Sequence, residues 1–213
     1  MTKRKNKNYL TKLEKISPRH QVFIAIGLLI IAIILTRSPE MSGFEESIFL
    51  FVYGWPSVFE LPFLVVTQFG SIYILGAIVA VLLIKNNYSK ALRFILVGTS
   101  AYLIAGFVKD LWGRARPNEL LDGIVNLDYA RGPGFPSGHT ALAVALALTV
   151  GHFLPRKYHW IVVVWIVAVG LSRIYLGVHA PLDILGGFAI GWLCYALFKN
   201  VRISNIGRRI RRS

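Results

Sequence analysis

PSGHTALAVALALTVGHFL, residues 136–154, is the stretch on which the fold turns, because four turn-forming and polar residues run straight into a long apolar segment. Ser137 is a natural helix N-cap, so Pro136-Ser137-Gly138-His139 reads as the start of a helix continuing over Thr140–Leu154. At such a start the free backbone N–H groups point outward and the helix dipole favours an anion, while Gly138 allows a ligand close to the backbone. A bare Ser-Gly would be no more than a turn and a cap. His139 adds an imidazole that can exchange a proton near neutral pH.

Outward from this stretch the chain holds five more apolar runs: Val22–Leu35, Ser71–Ile84, Phe94–Val108, Trp160–Leu171 and Ile184–Phe198. Across 213 residues, 55% are hydrophobic and 16% charged, with a mean hydropathy of +0.57, which suits a polytopic membrane protein better than a soluble domain. Each run is shorter than the roughly 20 residues needed to cross a hydrocarbon core of about 30 Å. Six buried helices of a soluble protein would leave almost nothing polar for water. Six transmembrane helices with polar ends fit better, the second beginning nearer Leu61 because no charge occurs from there to Ile84. The expected fold is therefore all-α. The first run follows a basic stretch as a signal peptide would, but Thr36-Arg37-Ser38-Pro39-Glu40 lacks a small-residue cleavage pattern, so it reads as a retained anchor. The one cysteine, Cys194, lies inside an apolar run and rules out an intramolecular disulfide.

Charge placement gives the orientation. With a cytoplasmic N-terminus, eighteen of the twenty-four Lys and Arg fall inside, and Arg37, Lys109, Arg114, Arg116, Arg131 and Arg173 fall outside. Both termini are then cytoplasmic and the polar motifs face the other side. The net charge of +14 needs no nucleic acid, since the cations concentrate in a basic segment 1–20, the inner loops and a basic tail 199–213. The tail's arginines suit anionic lipid headgroups. Between the first two spans, Ser42 and Glu45 resemble a capping box, and Phe44, Ile48, Phe51 or Val52, and Trp55 recur at helical spacing before Pro56. This predicts a short interfacial helix, either a packed connector or an aromatic face that admits a lipid chain.

Two further polar segments match the first in position. Lys109 and Arg116-Pro117 lie at the exit of the third run, a point charge and a planar fork that both suit phosphate oxygens, although basic residues there also snorkel to headgroups. Arg114 keeps that second reading, with no assigned role. Ser172-Arg173 ends the fifth run, and His179 and Asp183, four apart, open the sixth. A carboxylate bonded to one ring nitrogen fixes the tautomer and makes the other nitrogen a better nucleophile. Ser172 can assist or simply bond to its own helix end. His20, His152 and His159 read as structural residues of the cytoplasmic side. His139, His179 and Asp183 are also metal-ligand types, but Lys109, Arg116 and Arg173 would repel a cation and supply its charge themselves, so no metal and no cofactor is expected.

Taken together, Lys109-x6-Arg116-Pro117, Pro136-Ser137-Gly138-His139 and Ser172-Arg173-x5-His179-x3-Asp183 resemble the signature of the type 2 phosphatidic acid phosphatase (PAP2) superfamily, which includes glucose-6-phosphatase and the vanadium haloperoxidases. The resemblance implies a PAP2/haloperoxidase-like helical core, with residues 21–198 as a six-helix membrane phosphatase domain. It implies that Lys109, Arg116, Ser137, Gly138 and Arg173 hold a phosphoryl group, His179 attacks it, Asp183 orients His179, and His139 protonates the leaving oxygen. Water would then resolve a phosphohistidine. The implied partners are the bilayer and a membrane lipid phosphate or pyrophosphate of the undecaprenyl pyrophosphate, phosphatidylglycerol phosphate or phosphatidic acid class, at the extracytoplasmic face of the cell membrane. A non-enzymatic lipid-headgroup-binding or lipid-moving protein would use the same pocket without turnover. Nothing in the sequence sets an oligomeric state.

Overall fold

Every apolar run becomes a helix, and the caps read from the sequence at Ser42 and Ser137 start two of the helices. The structure is a computed structural model that describes residues 16–38 and 40–201, so most of the basic segments 1–20 and 199–213 lies outside the described residues. The helices are α1 (Pro18–Leu35), α2 (Gly43–Tyr53), α3 (Glu60–Thr67), α4 (Ile72–Ile84), α5 (Tyr88–Trp112), the short α6 (Pro117–Leu120), α7 (Gly138–Phe153), α8 (His159–Tyr175) and α9 (Pro181–Phe198). Ser17, Ser42 and Ser137 cap α1, α2 and α7 by accepting a bond from the backbone N–H three residues on. Proline stands in the first turn of α1 and α9, where no intrahelical N–H is lost.

Helix α9 packs against α1, α5 and α7, and α8 against α7 and α3. The α1, α5, α7 and α9 faces meet through small residues such as Ala25, Ala101, Ala141 and Ala145, all buried, with Cys194 among them. Small side chains let helix backbones approach closely, which in lipid replaces the transfer of apolar surface out of water as the source of stability. Ten of the sixteen residues of α7 are buried, so this helix is the centre of the bundle. Large apolar side chains instead point outward from the peripheral helices, among them Phe23, Ile34 and Leu35 of α1, Ile84 of α4, and Val163 and Val164 of α8. That outer surface belongs in hydrocarbon, and the chain is a multi-pass membrane protein.

Among the described residues, four helical stretches are long and apolar enough to cross a bilayer: Pro18–Leu35, Tyr88–Leu120, Arg156–Tyr175 and Pro181–Phe198. A fifth is reached if Gly43–Tyr53 and Ser57–Gly70, bent by 81°, are taken as one. Helices α4 and α7, at 13 and 16 residues, are shorter. The predicted continuous helix from near Leu61 to Ile84 is broken. After α3 a 3-10 turn over Gln68–Gly70 leads into extended backbone at Ser71. The break brings the chain against the start of α7, where a Cβ on Gly70 would stand 2.5 Å from the His139 carbonyl oxygen, so only glycine fits. The helix expected between the first two spans is α2. It buries Glu45, Phe49 and Val52 and leaves Phe44 and Phe51 exposed. The Ser42–Glu45 capping box is half formed, because the Glu45 carboxylate is committed elsewhere.

Candidate active site

At one end of the bundle α5 and α8 finish while α4, α7 and α9 begin, and the polar motifs converge there. Helix α5 ends on Gly113, whose φ of +66° is the left-handed conformation that reverses the chain at little cost to glycine. Arg114 and Arg116 follow in irregular backbone, Arg116 extended at the start of α6, and both are buried. After α8 a turn carries the chain through His179 into α9, whose first turn holds Asp183.

Lys109, Arg116, Gly138, His139, Arg173 and His179 line a single cavity of about 510 Å³. Ser137 and Asp183, the other two predicted residues, stand behind its wall with no exposed surface. Ser137 accepts from the Thr140 N–H at 3.4 Å and the Thr140 hydroxyl at 3.0 Å. Asp183 Oδ2 accepts from the Ala180 N–H at 2.9 Å and lies 3.3 Å from His179 Nδ1, so the neutral ring carries its proton on Nδ1. Pro181 starts the helix after His179, which accordingly folds back on Asp183 rather than sharing its helical face. Burial, reinforced by the charges of Lys109, Arg173 and Arg116, pushes the His179 imidazole well below its ordinary range. Its ring is neutral at neutral pH. Ser172 turns away and donates to the Val169 carbonyl at 2.7 Å within its own helix.

The cations are held by oxygen. Lys109 Nζ donates to the Pro133 carbonyl at 2.6 Å, and Arg116 donates to the carbonyls of Val178, Gly132 and Arg131 at 2.6, 2.7 and 2.9 Å. Arg173 donates to Thr67 Oγ1 at 2.7 Å and to Asp128 Oδ2 at 2.5 Å. Asp128, on the loop after α6, is a residue sequence reading passed over. A carboxylate oxygen on that guanidinium sits as a phosphate oxygen would.

Arg114 is the larger correction. It was left among surface cations, yet its side chain is 2% exposed and donates through Nη1 to Asp183 Oδ1 at 2.9 Å, and through Nη1 and Nη2 to Glu45 at 3.1 and 2.7 Å. Glu45, from α2, carried no signal beyond its capping-box position.

Apolar hollows adjoin the chamber. Gln68, Ser71 and Tyr73 line both it and an apolar hollow beside α4. Through Phe69 and Ile74 that hollow meets a cleft between α4 and α8, and through Ile78 and Val150 the cleft meets another that reaches Lys90 and Leu154 near the far end of the bundle. Apolar hollows thus lie in succession along α4 beside the polar chamber.

The fold and chamber define a class, a helical membrane protein with a cation-lined chamber at one end. Residues 90–206, more than half the chain, match the PAP2 superfamily, and the chain belongs to that family as a phosphatase. It is 29% identical over 178 residues to phosphatidylglycerophosphatase B of Bacillus subtilis, covering 79% of this chain and 78% of that protein. It is 27% identical over 189 residues to undecaprenyl-diphosphatase of Sulfolobus acidocaldarius, covering 84% and 88%. The crystal structure of Aquifex aeolicus LpxE superposes with a TM-score of 0.68 at 27% identity, covering 74% of this chain and 97% of that one.

Proposed function

We propose that the chain hydrolyses a phosphate monoester or pyrophosphate of a membrane lipid through a phosphohistidine on His179, at the extracytoplasmic face. The observation that carries this reading is a chamber lined by three cations and two histidines with apolar hollows adjoining it along α4, which suits a molecule with an anionic head and a hydrocarbon tail. The names of the relatives, a phosphatidylglycerophosphatase and an undecaprenyl-diphosphatase, support substrates of that kind.

The residues divide the work as follows. An arriving phosphate displaces Asp128 from Arg173 and is held by Arg173, Lys109, Arg116 and the N–H groups at the start of α7, the end that Ser137 caps and Gly138 opens. His179, with Nδ1–H donated to Asp183, attacks phosphorus through Nε2. The bond from phosphorus to the leaving oxygen breaks, the ester oxygen of a monoester or the bridging oxygen of a pyrophosphate, and that oxygen takes a proton from His139, whose protonated form the phosphate dianion favours. Water then attacks the phosphohistidine, His139 takes back its proton, and orthophosphate leaves. Positive charge and positioning meet most of the demand of phosphoryl transfer, without a metal.

In the proposed topology six spans run in alternating directions and both termini are cytoplasmic, opposite the chamber. Support comes from the basic residues at that opposite end: Lys90 and Lys157 lie over the Phe153 and Tyr158 rings, and Arg93 donates to the Phe198 carbonyl at 2.8 Å. In this arrangement α2 lies at the outer interface with Phe44 and Phe51 toward lipid.

Purified protein in detergent, given phosphatidylglycerol phosphate and undecaprenyl pyrophosphate in parallel, should release orthophosphate from at least one and keep its rate in excess chelator. Tight lipid binding with no release would instead fit a headgroup-binding protein. Loss of activity to chelator, restored by a divalent ion, would overturn the metal-free mechanism.

A further inference from the structure

We propose that Glu45 and Arg114 are positioning residues for the reaction, holding Asp183 in the one orientation that keeps His179 aimed at phosphorus. The proposal rests on the phosphatase reading above and adds to it a function for α2, which lies outside the matched residues 90–206.

A buried carboxylate can serve a histidine only if its second oxygen is also satisfied; otherwise it rotates or takes up a proton. Asp183 has no exposed surface, and Oδ2 is fully used by the Ala180 N–H and His179. Oδ1 is held by Arg114 at 2.9 Å, which fixes the carboxylate plane. Arg114 in turn is a buried cation that must not draw Asp183 entirely to itself. Glu45 engages it across both Nη atoms, so the guanidinium is shared between two carboxylates.

Glu45 is itself anchored at both ends. Ser42 caps the helix by accepting from its N–H at 3.2 Å, and its Oε1 accepts from the Leu182 N–H at 3.0 Å, in the first turn of α9. Glu45 thus ties α2 directly to the helix that carries Asp183. The tie runs Ser42, Glu45, Arg114, Asp183, His179, and neither Glu45 nor Arg114 is on the wall of the phosphate chamber. Arg114 differs in this from Lys109, Arg116 and Arg173, which are.

Two variants of the full chain in detergent test this. Glu45→Gln keeps shape and one bond to Arg114 but removes the shared charge. The double variant Glu45→Met, Arg114→Met removes both groups from behind Asp183 and leaves that buried carboxylate without its Oδ1 partner, so thermal unfolding is run alongside and Glu45→Gln carries the test if the double variant does not fold. Kinetics should show kcat reduced by roughly 10- to 100-fold in the double variant and less in Glu45→Gln, as for other partners that orient a reacting group. KM and the inhibition constant of orthophosphate should stay near wild type. Histidine-selective nitrogen-15 NMR should show His179 protonated on Nδ1 in wild type and shifted toward the Nε2-protonated form in the double variant. Folded variants that keep both wild-type kcat and the wild-type tautomer would overturn the proposal, as would a rise in KM and the orthophosphate constant with kcat unchanged. A wild-type chain that releases no phosphate would remove the phosphatase reading, and the tautomer comparison would still decide the positioning role.

Discussion

Asp183→Asn is the substitution whose consequences the geometry specifies most fully. The wild-type carboxylate accepts on both sides, from Arg114 on Oδ1 and from the Ala180 N–H and His179 Nδ1 on Oδ2. An asparagine has one accepting oxygen and one donating NH2, so one side must face donor against donor. Arg114 and the Ala180 N–H both keep their protons, but the charged guanidinium holds the oxygen more strongly, which turns the NH2 toward His179 and the Ala180 N–H. The ring can then accept at Nδ1 only by carrying its proton on Nε2, the atom that attacks phosphorus. Loss of the correct tautomer beside a catalytic histidine costs on the order of 10⁴ in kcat in the serine protease triad, and a similar fall is expected here. Losing one charge-assisted bond while Arg114 keeps Glu45 should cost about 2–3 kcal/mol of stability. Phosphate release from a short-chain lipid phosphate in micelles, with thermal unfolding alongside, measures both. A folded Asp183→Asn protein with kcat within tenfold of wild type would refute the reasoning.

Three further outcomes follow from particular contacts. Ala168→Trp, in the cleft between α4 and α8, should raise KM for a long-tailed lipid phosphate and leave that of a short-chain analogue unchanged; equal KM changes for both would dissociate the cleft from the tail. Asp128→Asn removes the carboxylate that competes with phosphate for Arg173, a partly exposed pair worth about 1 kcal/mol, so KM should fall roughly fivefold; an unchanged or higher KM would contradict that competition. The His179 imidazole is depressed in the folded state, so its contribution favours folding above the unfolded histidine's titration near 6.5 and is lost as pH falls below it. Thermal midpoints of wild type and His179→Asn, compared at pH 7.5 and 5.0 without phosphate, should show the larger acid-side drop in wild type, and equal drops would place His179 in a different electrostatic setting.

Much of the site was legible because its residues sit where polar chemistry interrupts apolar sequence. Lys109, Arg116, Gly138, His139, Arg173 and His179 could be picked from the ends of apolar runs, and they share one chamber. Arg114 reads as a headgroup contact because a cation near a helix end ordinarily is one, and only its distant partners Glu45 and Asp183 hold it inside. Glu45 could not be found from local pattern, since its partners Arg114 and Leu182 are 69 and 137 residues away in sequence. The break at Ser71 was equally hidden. An uncharged run from Leu61 to Ile84 reads as one helix, and the constraint that interrupts it is the close passage of Gly70 over His139.

The most direct test of the account is to trap the covalent intermediate. Protein mixed with a lipid phosphate labelled on its phosphorus, quenched in base within one turnover and digested, should carry an acid-labile, base-stable label on the peptide containing His179. The His179→Ala protein should carry none and release no phosphate. Label on a different residue, or phosphate release by His179→Ala at the wild-type rate, would contradict it.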